Sequence, residues 1–149
     1  TFGPRQSARA IIPTIIAQIC SGKKSIELGN LEATRDFTYV TDTANGFIRL
    51  AETAKTEGDV YNIGSGREVS VRDLVQIIAQ VLKKDIKKKK DKQRIRPTKS
   101  EVERLLCDMN KIKESCGWKA SVSLENGLEK TCEWFKDNLK SYKAEIYNV

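Results

Sequence analysis

No histidine occurs among the 149 residues. Its absence removes Ser–His–Asp and Cys–His nucleophile systems and every zinc site that needs an imidazole. Cysteine is sparse and scattered: Cys20, Cys107, Cys116 and Cys132 form no CxxC pair, so no metal site is expected. Each lies beside apolar residues and reads as a buried free thiol in a reducing compartment, which points to the cytosol. A GxxxxGK[ST] loop for a nucleoside triphosphate is missing too. No apolar run approaches the roughly 18–20 residues that a membrane helix requires. The opening TFGPRQSARA has neither an initiator Met nor the basic, apolar and small-residue succession of a signal peptide, so the chain reads as part of something longer.

What is present suits one globular domain with a sizeable core. Apolar residues make up 39% and charged residues 32%, and the net charge is +7. The excess is local. Between Lys83 and Lys99, in KKDIKKKKDKQRIRPTK, ten Lys/Arg face two Asp, whereas the remainder holds 17 basic and 18 acidic residues. A basic tract neutralises phosphates, and a stand-alone module binding nucleic acid or an acidic partner through residues 83–99 is the alternative reading of the chain. The tract has no interleaved aromatics for stacking bases, so nucleic acid is not the expected partner. A solvated edge, whose lysines discourage strand pairing, accounts for most of the run.

Elements of two periods alternate. Ile11, Ile12, Ile15, Ile16 and Ile19 recur at helical spacing, Pro13 fits only a first turn, and Gly22 is a stop, so a helix over about 11–21 is predicted. SIELG and FTYV read as short strands. Asp42 reads as the cap of a helix with Ala44, Phe47, Ile48 and Ala51 inward. DVYNIG is a third strand candidate. Ser70 and Asp73 form an SxxD start for VRDLVQIIAQVL, with Leu74, Ile77, Ile78 and Val81 inward. A strand near Ile86, a short helix near Asn110–Cys116, and a last helix capped by Ser123 and carrying Leu124, Leu128, Cys132, Phe135 and Leu139 complete a mixed α/β pattern.

Gly64-Ser65-Gly66 imitates a dinucleotide loop, but Val69 occupies the third-glycine position and the helix begins too late; a strand-to-helix turn is expected instead. Arginine recurs near turns, as Arg35 after GNLEAT and Arg96 in RIRP. The guanidinium fork suits a bidentate grip on a diphosphate.

The succession FGPRQ, IIP, GKKSIELGN, RDFTYVTDTANGF, VYNIGSG, SVRDL, RIRP, CD followed by GW, and LENGLEKTCEWF resembles the C-terminal half of the NAD-dependent epimerase/dehydratase family. These are extended short-chain dehydrogenase/reductases that act on nucleotide-activated sugars, and the chain is most similar to the 4,6-dehydratases and 4-epimerases. The resemblance implies the substrate-binding lobe of a two-lobed α/β enzyme, residues 1–149 forming a single nucleotide-sugar-binding unit. It implies that NAD or NADP is bound mainly by an N-terminal Rossmann lobe. The YxxxK pair that does the proton and hydride chemistry is not in this sequence, so no catalytic residue is assigned and no turnover by this chain alone is expected. Without that lobe, apolar surface around FTYV and VYNIG would be exposed and open to self-association.

By the same resemblance Arg35 and Arg96 grip the diphosphate of a nucleoside-diphosphate sugar and Asn62 touches the same region. Ile26 and Leu28 line the base, Ile12 and Pro13 pack beside the nucleotide, and Phe2, Gly3 and Pro4 pass the nicotinamide. Read from the residues alone, other roles stay open. Arg35 has Asp36 or a helix C-terminus as partner, Asn62 has turn formation, and the aliphatic residues have core packing. Asp36 is assigned a structural role. After Arg96-Pro97 stand Ser100 and Glu101, where many relatives carry a glycine and an acid, which departs from direct ribose recognition at that corner.

Overall fold

Pro13 falls in the first turn of helix α1 (Ile11–Cys20) in the computed structural model, which describes residues 1–90 and 102–142. There its missing N–H has no intrahelical duty. Ser21 and Gly22 close the helix with N–H bonds back to Ala17 and Ile19, Gly22 at φ +85°. Strand β1 (Ser25–Leu28) follows and pairs in parallel with β4 (Lys87–Lys90), Ser25 opposite Lys87. β1 alternates half-buried Ser25 and Glu27 with buried Ile26 and Leu28, the period-two pattern of a strand with one face on a core. Gln18 of α1 seals the junction: its amide donates to the Glu27 carbonyl at 3.1 Å and accepts from the Glu27 N–H at 2.9 Å.

A second sheet has the order β3 (Glu68–Ser70), β2 (Thr34–Asp36), β5 (Arg104–Leu105), with β2 antiparallel to β3 and parallel to β5. The expected FTYV strand is therefore corrected to the preceding residues. Residues 38–40 only bridge the N-terminus, Phe2 N–H bonding the Thr38 carbonyl and Val40 N–H bonding the Phe2 carbonyl, before the chain turns helical at Val40. Phe37 and Tyr39 spend their rings edge-on against Phe2. DVYNIG is corrected as well. Residues 59–64 are irregular, no strand pairs with them among the described residues, and Val60 is 82% exposed.

Helix α2 (Val40–Ala51) runs in the predicted place but with the opposite side inward. Its buried positions are Asp42 and Gly46, while Ala44, Phe47, Ile48 and Ala51 are exposed, Phe47 at 64% and Ile48 at 54%. Asp42 does not cap the helix, whose N-cap is Tyr39. Its carboxylate instead accepts the N–H groups of Ser121 (3.0 Å) and Val122 (2.9 Å) and the Ser121 hydroxyl (2.7 Å). Gly46 lets the helix lie close on Ile63 and Trp118, because a Cβ there would sit 2.9 Å from the Ile63 side chain. A charged anchor and a close approach outweigh the apolar stripe.

Helices α3 (Val71–Val81), α4 (Asn110–Cys116) and α5 (Leu124–Asn138) lie where periodicity puts them, followed by a 3-10 turn at Leu139–Ser141. Ser70 Oγ accepts the Asp73 N–H at 3.0 Å and Ser123 Oγ the Asn126 N–H at 3.2 Å, each satisfying an orphan donor of a first turn. α1, α3 and α5 pack on one another and bury Ile15, Ile16, Leu74, Val75, Ile78, Leu128, Cys132 and Phe135 with Ile26 and Leu28 of β1. At roughly 1.5–3 kcal/mol for each fully buried aliphatic or aromatic side chain, this cluster is the main source of stability.

Candidate functional site

β2 resolves why Arg35 and Asp36 stand side by side. Successive strand residues point to opposite faces, so the two charges part company. Thr34 starts the strand with a bond from its hydroxyl to Glu68 (2.9 Å), and Glu68 also accepts from Arg104 Nε at 2.7 Å. One carboxylate thereby laces β2, β3 and β5. The Arg104 bond, and then the Thr34 bond, hold the Glu68 carboxyl below its usual range.

Arg35 sits opposite Val69 on β3 and Leu105 on β5, half-buried, with Nη1 donating to the Thr34 carbonyl at 2.7 Å. Asp36 faces the chain's own turn at 64–66. Its Oδ1 accepts the Ser65 N–H (2.8 Å) and the Ser65 hydroxyl (2.5 Å), and its Oδ2 accepts the Gly66 N–H at 2.8 Å. Thr38 Oγ1 (3.5 Å) and the Cys107 N–H (3.4 Å) lie at the edge of the same carboxylate. The amides that a dinucleotide phosphate would use in a GxG loop thus serve an internal carboxylate, and Gly66, at φ +72°, supplies the turn expected there.

At Asp36 opens a cleft of about 360 Å³, walled by Thr1, Asp36, Thr38, Asn62, Ile63, Gly64 and the segment Leu105–Asp108. Asn62 is exposed in it. Gly64 is needed for its floor: a Cβ at that position would lie 2.2 Å from the Cys107 Cβ and 2.9 Å from Asp36 Oδ2. Burial, with Asp36 and Asp108 adding to it, pushes the Cys107 thiol up and keeps it protonated. A separate hollow of about 270 Å³ lies between Phe37, Arg67, Val69 and the start of α5, where Arg67 pairs with Glu125 at 3.2 Å.

Among the described residues assigned to substrate or cofactor from the sequence, Asn62 is the one that lines the larger cleft, together with Asp36; Arg35 leaves β2 on its other side. Ile12, Ile26 and Leu28 are buried in the helix and β1 core, and Pro13 is buried in the first turn of α1. Phe2 packs into the same core, Gly3 lies against Val40 closely enough that a Cβ would be 2.6 Å from it, and Pro4 is half-buried. Phe2 and Gly3 are both buried by neighbouring protein among the described residues. Arg96, Ser100 and Glu101 lie outside the described residues, as do residues 91–99 of the basic tract. Sequence reading missed Thr38, Cys107 and the hub role of Asp36. Thr38 lies two residues from Asp36, but Ser65 and Cys107 lie 29 and 71 residues from it, with no spacing to betray them.

The pattern of a family described as GDP-mannose 4,6 dehydratase matches residues 1–131. The chain belongs to the NAD-dependent epimerase/dehydratase family. It is 30% identical over 147 residues to the dTDP-D-glucose 4,6-dehydratase of Homo sapiens, a match covering 95% of this chain and 41% of that protein. Among solved structures it resembles a UDP-glucose 4-epimerase of Thermotoga maritima with UDP-glucose (TM-score 0.80, 30% identity, 93% of this chain and 44% of that one). It also resembles a UDP-glucuronic acid 4-epimerase of Bacillus cereus with UDP-glucuronic acid and NAD (TM-score 0.82, 27% identity, 92% and 43%). The chain therefore spans about two fifths of the length of these members of the epimerase/dehydratase family. Its fold is that of the matching part of extended short-chain dehydrogenase/reductases.

Proposed function

We propose that this chain is the substrate-binding part of a nucleotide-sugar 4,6-dehydratase or 4-epimerase and that it grips the nucleoside diphosphate. The observation that carries the reading is the junction at β2. A short strand carries a half-buried guanidinium on one face and, on the other, a carboxylate that lines an open, polar cleft with an exposed asparagine. A cleft of that volume falls in the range of small-molecule sites, and arginine and amide donors are the groups that read a diphosphate. Arg35 supplies charge, Asn62 supplies a directional donor and acceptor, and Arg96 is a second charge on the segment leading into β5. Ile12, Pro13, Ile26 and Leu28, already covered by protein, hold α1 and β1 firm beneath the nucleotide.

In this reading the remainder of the full-length protein binds NAD or NADP, carries the proton and hydride chemistry, and covers the apolar stripe of α2 and the exposed Val60. Phe2, Gly3 and Pro4 then border the nicotinamide only as backing. The reaction assigned to the whole enzyme is transient oxidation at C4 of the sugar. Elimination of water across C5–C6, or return of hydride to the other face, follows. This chain contributes binding energy remote from the reacting carbon, which orients the ring. The isolated chain accordingly has no turnover.

Calorimetric titration of the chain with UDP-glucose and with dTDP-glucose tests the proposal, with a duplex oligonucleotide at two salt concentrations run in parallel. Binding to a nucleotide sugar, weakened about tenfold or more by Arg35→Ala, is the expected result. Binding only to the oligonucleotide, with a steep salt slope and indifference to Arg35, would replace the reading with the basic-module alternative.

A further inference from the structure

Several residues in and beside the Asn62 cleft are tied to one side chain. Asp36 holds Ser65 through both its N–H and its hydroxyl, holds the Gly66 N–H, and touches Thr38 and the Cys107 N–H. Thr38 and Cys107 are themselves cleft residues, and Ser65 and Gly66 directly follow the cleft residues Asn62, Ile63 and Gly64. The segment bearing Asn62 has no strand partner among the described residues. On its C-terminal side it is held by the Asp36 bonds, at Ile63 by packing on Gly46, and on its N-terminal side by Lys111, which donates to the Val60 carbonyl at 3.1 Å, pairs with Asp59 at 3.2 Å and lies 4.5 Å over the Tyr61 ring.

Both carboxylate oxygens accept N–H groups, a demand an amide cannot meet because one of its two heads is a donor. The same strand carries Arg35 on its opposite face, so one three-residue strand sets the guanidinium and the asparagine in a fixed relation. We infer that Asp36 is a positioning residue for nucleotide-sugar binding: its carboxylate pins the 64–66 turn to β2 and thereby holds Asn62 in the cleft at a fixed distance from Arg35. The inference rests on the nucleotide-sugar reading above. It differs from a purely structural role in that its effect on affinity passes through Asn62.

A double-mutant cycle of Asp36→Asn and Asn62→Ala, titrated with UDP-glucose and dTDP-glucose, measures that passage. Amide hydrogen exchange at Ser65, Gly66 and Cys107 without ligand is read alongside. Asp36→Asn is expected to weaken binding about tenfold in the wild-type background and less than about twofold in the Asn62→Ala background, while the Ser65 and Gly66 amides exchange faster. Ser65→Ala removes one hydroxyl and spares both backbone bonds, so a loss of about two- to fivefold is expected. It gives the same cycle should Asp36→Asn not fold. Full tenfold losses that multiply in the double variant, or Asn62→Ala binding like wild type, overturn the positioning role and leave the nucleotide-sugar reading standing. If wild type binds neither probe, both fall, even where hydrogen exchange responds to Asp36→Asn.

Discussion

Asp42 and Asp36 are two carboxylates, six residues apart, that act in the same way. Each captures backbone N–H groups of a distant segment that pairs with no strand among the described residues. Asp42 is 4% exposed and holds Ser121 and Val122. A carboxylate so placed is neutralised by donors rather than by a cation, and removing it leaves two N–H groups without acceptors. Asp42→Ala is therefore expected to cost roughly 2–3 kcal/mol, read as a lower urea midpoint at unchanged slope. A loss within about 0.5 kcal/mol would mean that water replaces the carboxylate there. The Trp118 ring, 4% exposed with Nε1 lacking a hydrogen-bond partner among the described residues, lies under Gly46 and depends on the same anchor.

Among the elements, α2 and α3 make opposite use of amphipathicity. In α3 the apolar stripe is the buried one, with Leu74, Val75 and Ile78 inaccessible, and a Ser70 cap at its start. In α2 an equally regular stripe of Val40, Ala44, Phe47, Ile48 and Ala51 faces outward while Asp42 and Gly46 face in. The chain's own stability should then be nearly blind to that stripe. Joint replacement Phe47→Ser and Ile48→Ser is expected to change unfolding free energy by no more than about 0.5 kcal/mol, whereas Leu74→Ala should cost about 2–5 kcal/mol. The α2 changes should also lower any self-association seen by sedimentation, since a contiguous apolar face is what drives it. An α2 pair as costly as Leu74→Ala would show that the stripe is covered within the chain.

For the whole molecule, the thiols and a phenol impose a common pH limit. Cys132 is wholly buried and its thiol is pushed up to about 12, mainly by burial, with Cys20 adding to it. An unfolded thiol ionises near about 8.5. The unfolded chain thus gives up a proton that the folded chain keeps, so the stability present below about pH 8.5 is lost as pH rises toward the folded value. Burial moves Cys20, Cys107 and Tyr142 upward as well. Thermal unfolding midpoints are expected to hold steady near neutrality and fall progressively above about pH 9, with part of the fall removed by Cys132→Ala. A flat profile through pH 10 would contradict the buried-thiol arrangement.

What the sequence determined by itself is local in origin. Helical periodicity, Ser70 and Ser123 at two helix starts, Pro13 in a first turn and Gly22 at a stop placed α1, α3, α4 and α5, because each signal lies within a few residues of its consequence. Missing histidines excluded whole classes of chemistry, and the order of weak motifs pointed to the family. Tertiary structure decided the strand at Thr34–Asp36 rather than FTYV, the outward turn of the α2 stripe, the irregular 59–64 segment and the cleft itself. The strand depends on pairing with β3 and β5, and the others on a carboxylate meeting amides 29 to 80 residues away or on a glycine allowing two segments to touch. No periodicity encodes a contact at that separation, since the free energy appears only once the chain has brought both ends together.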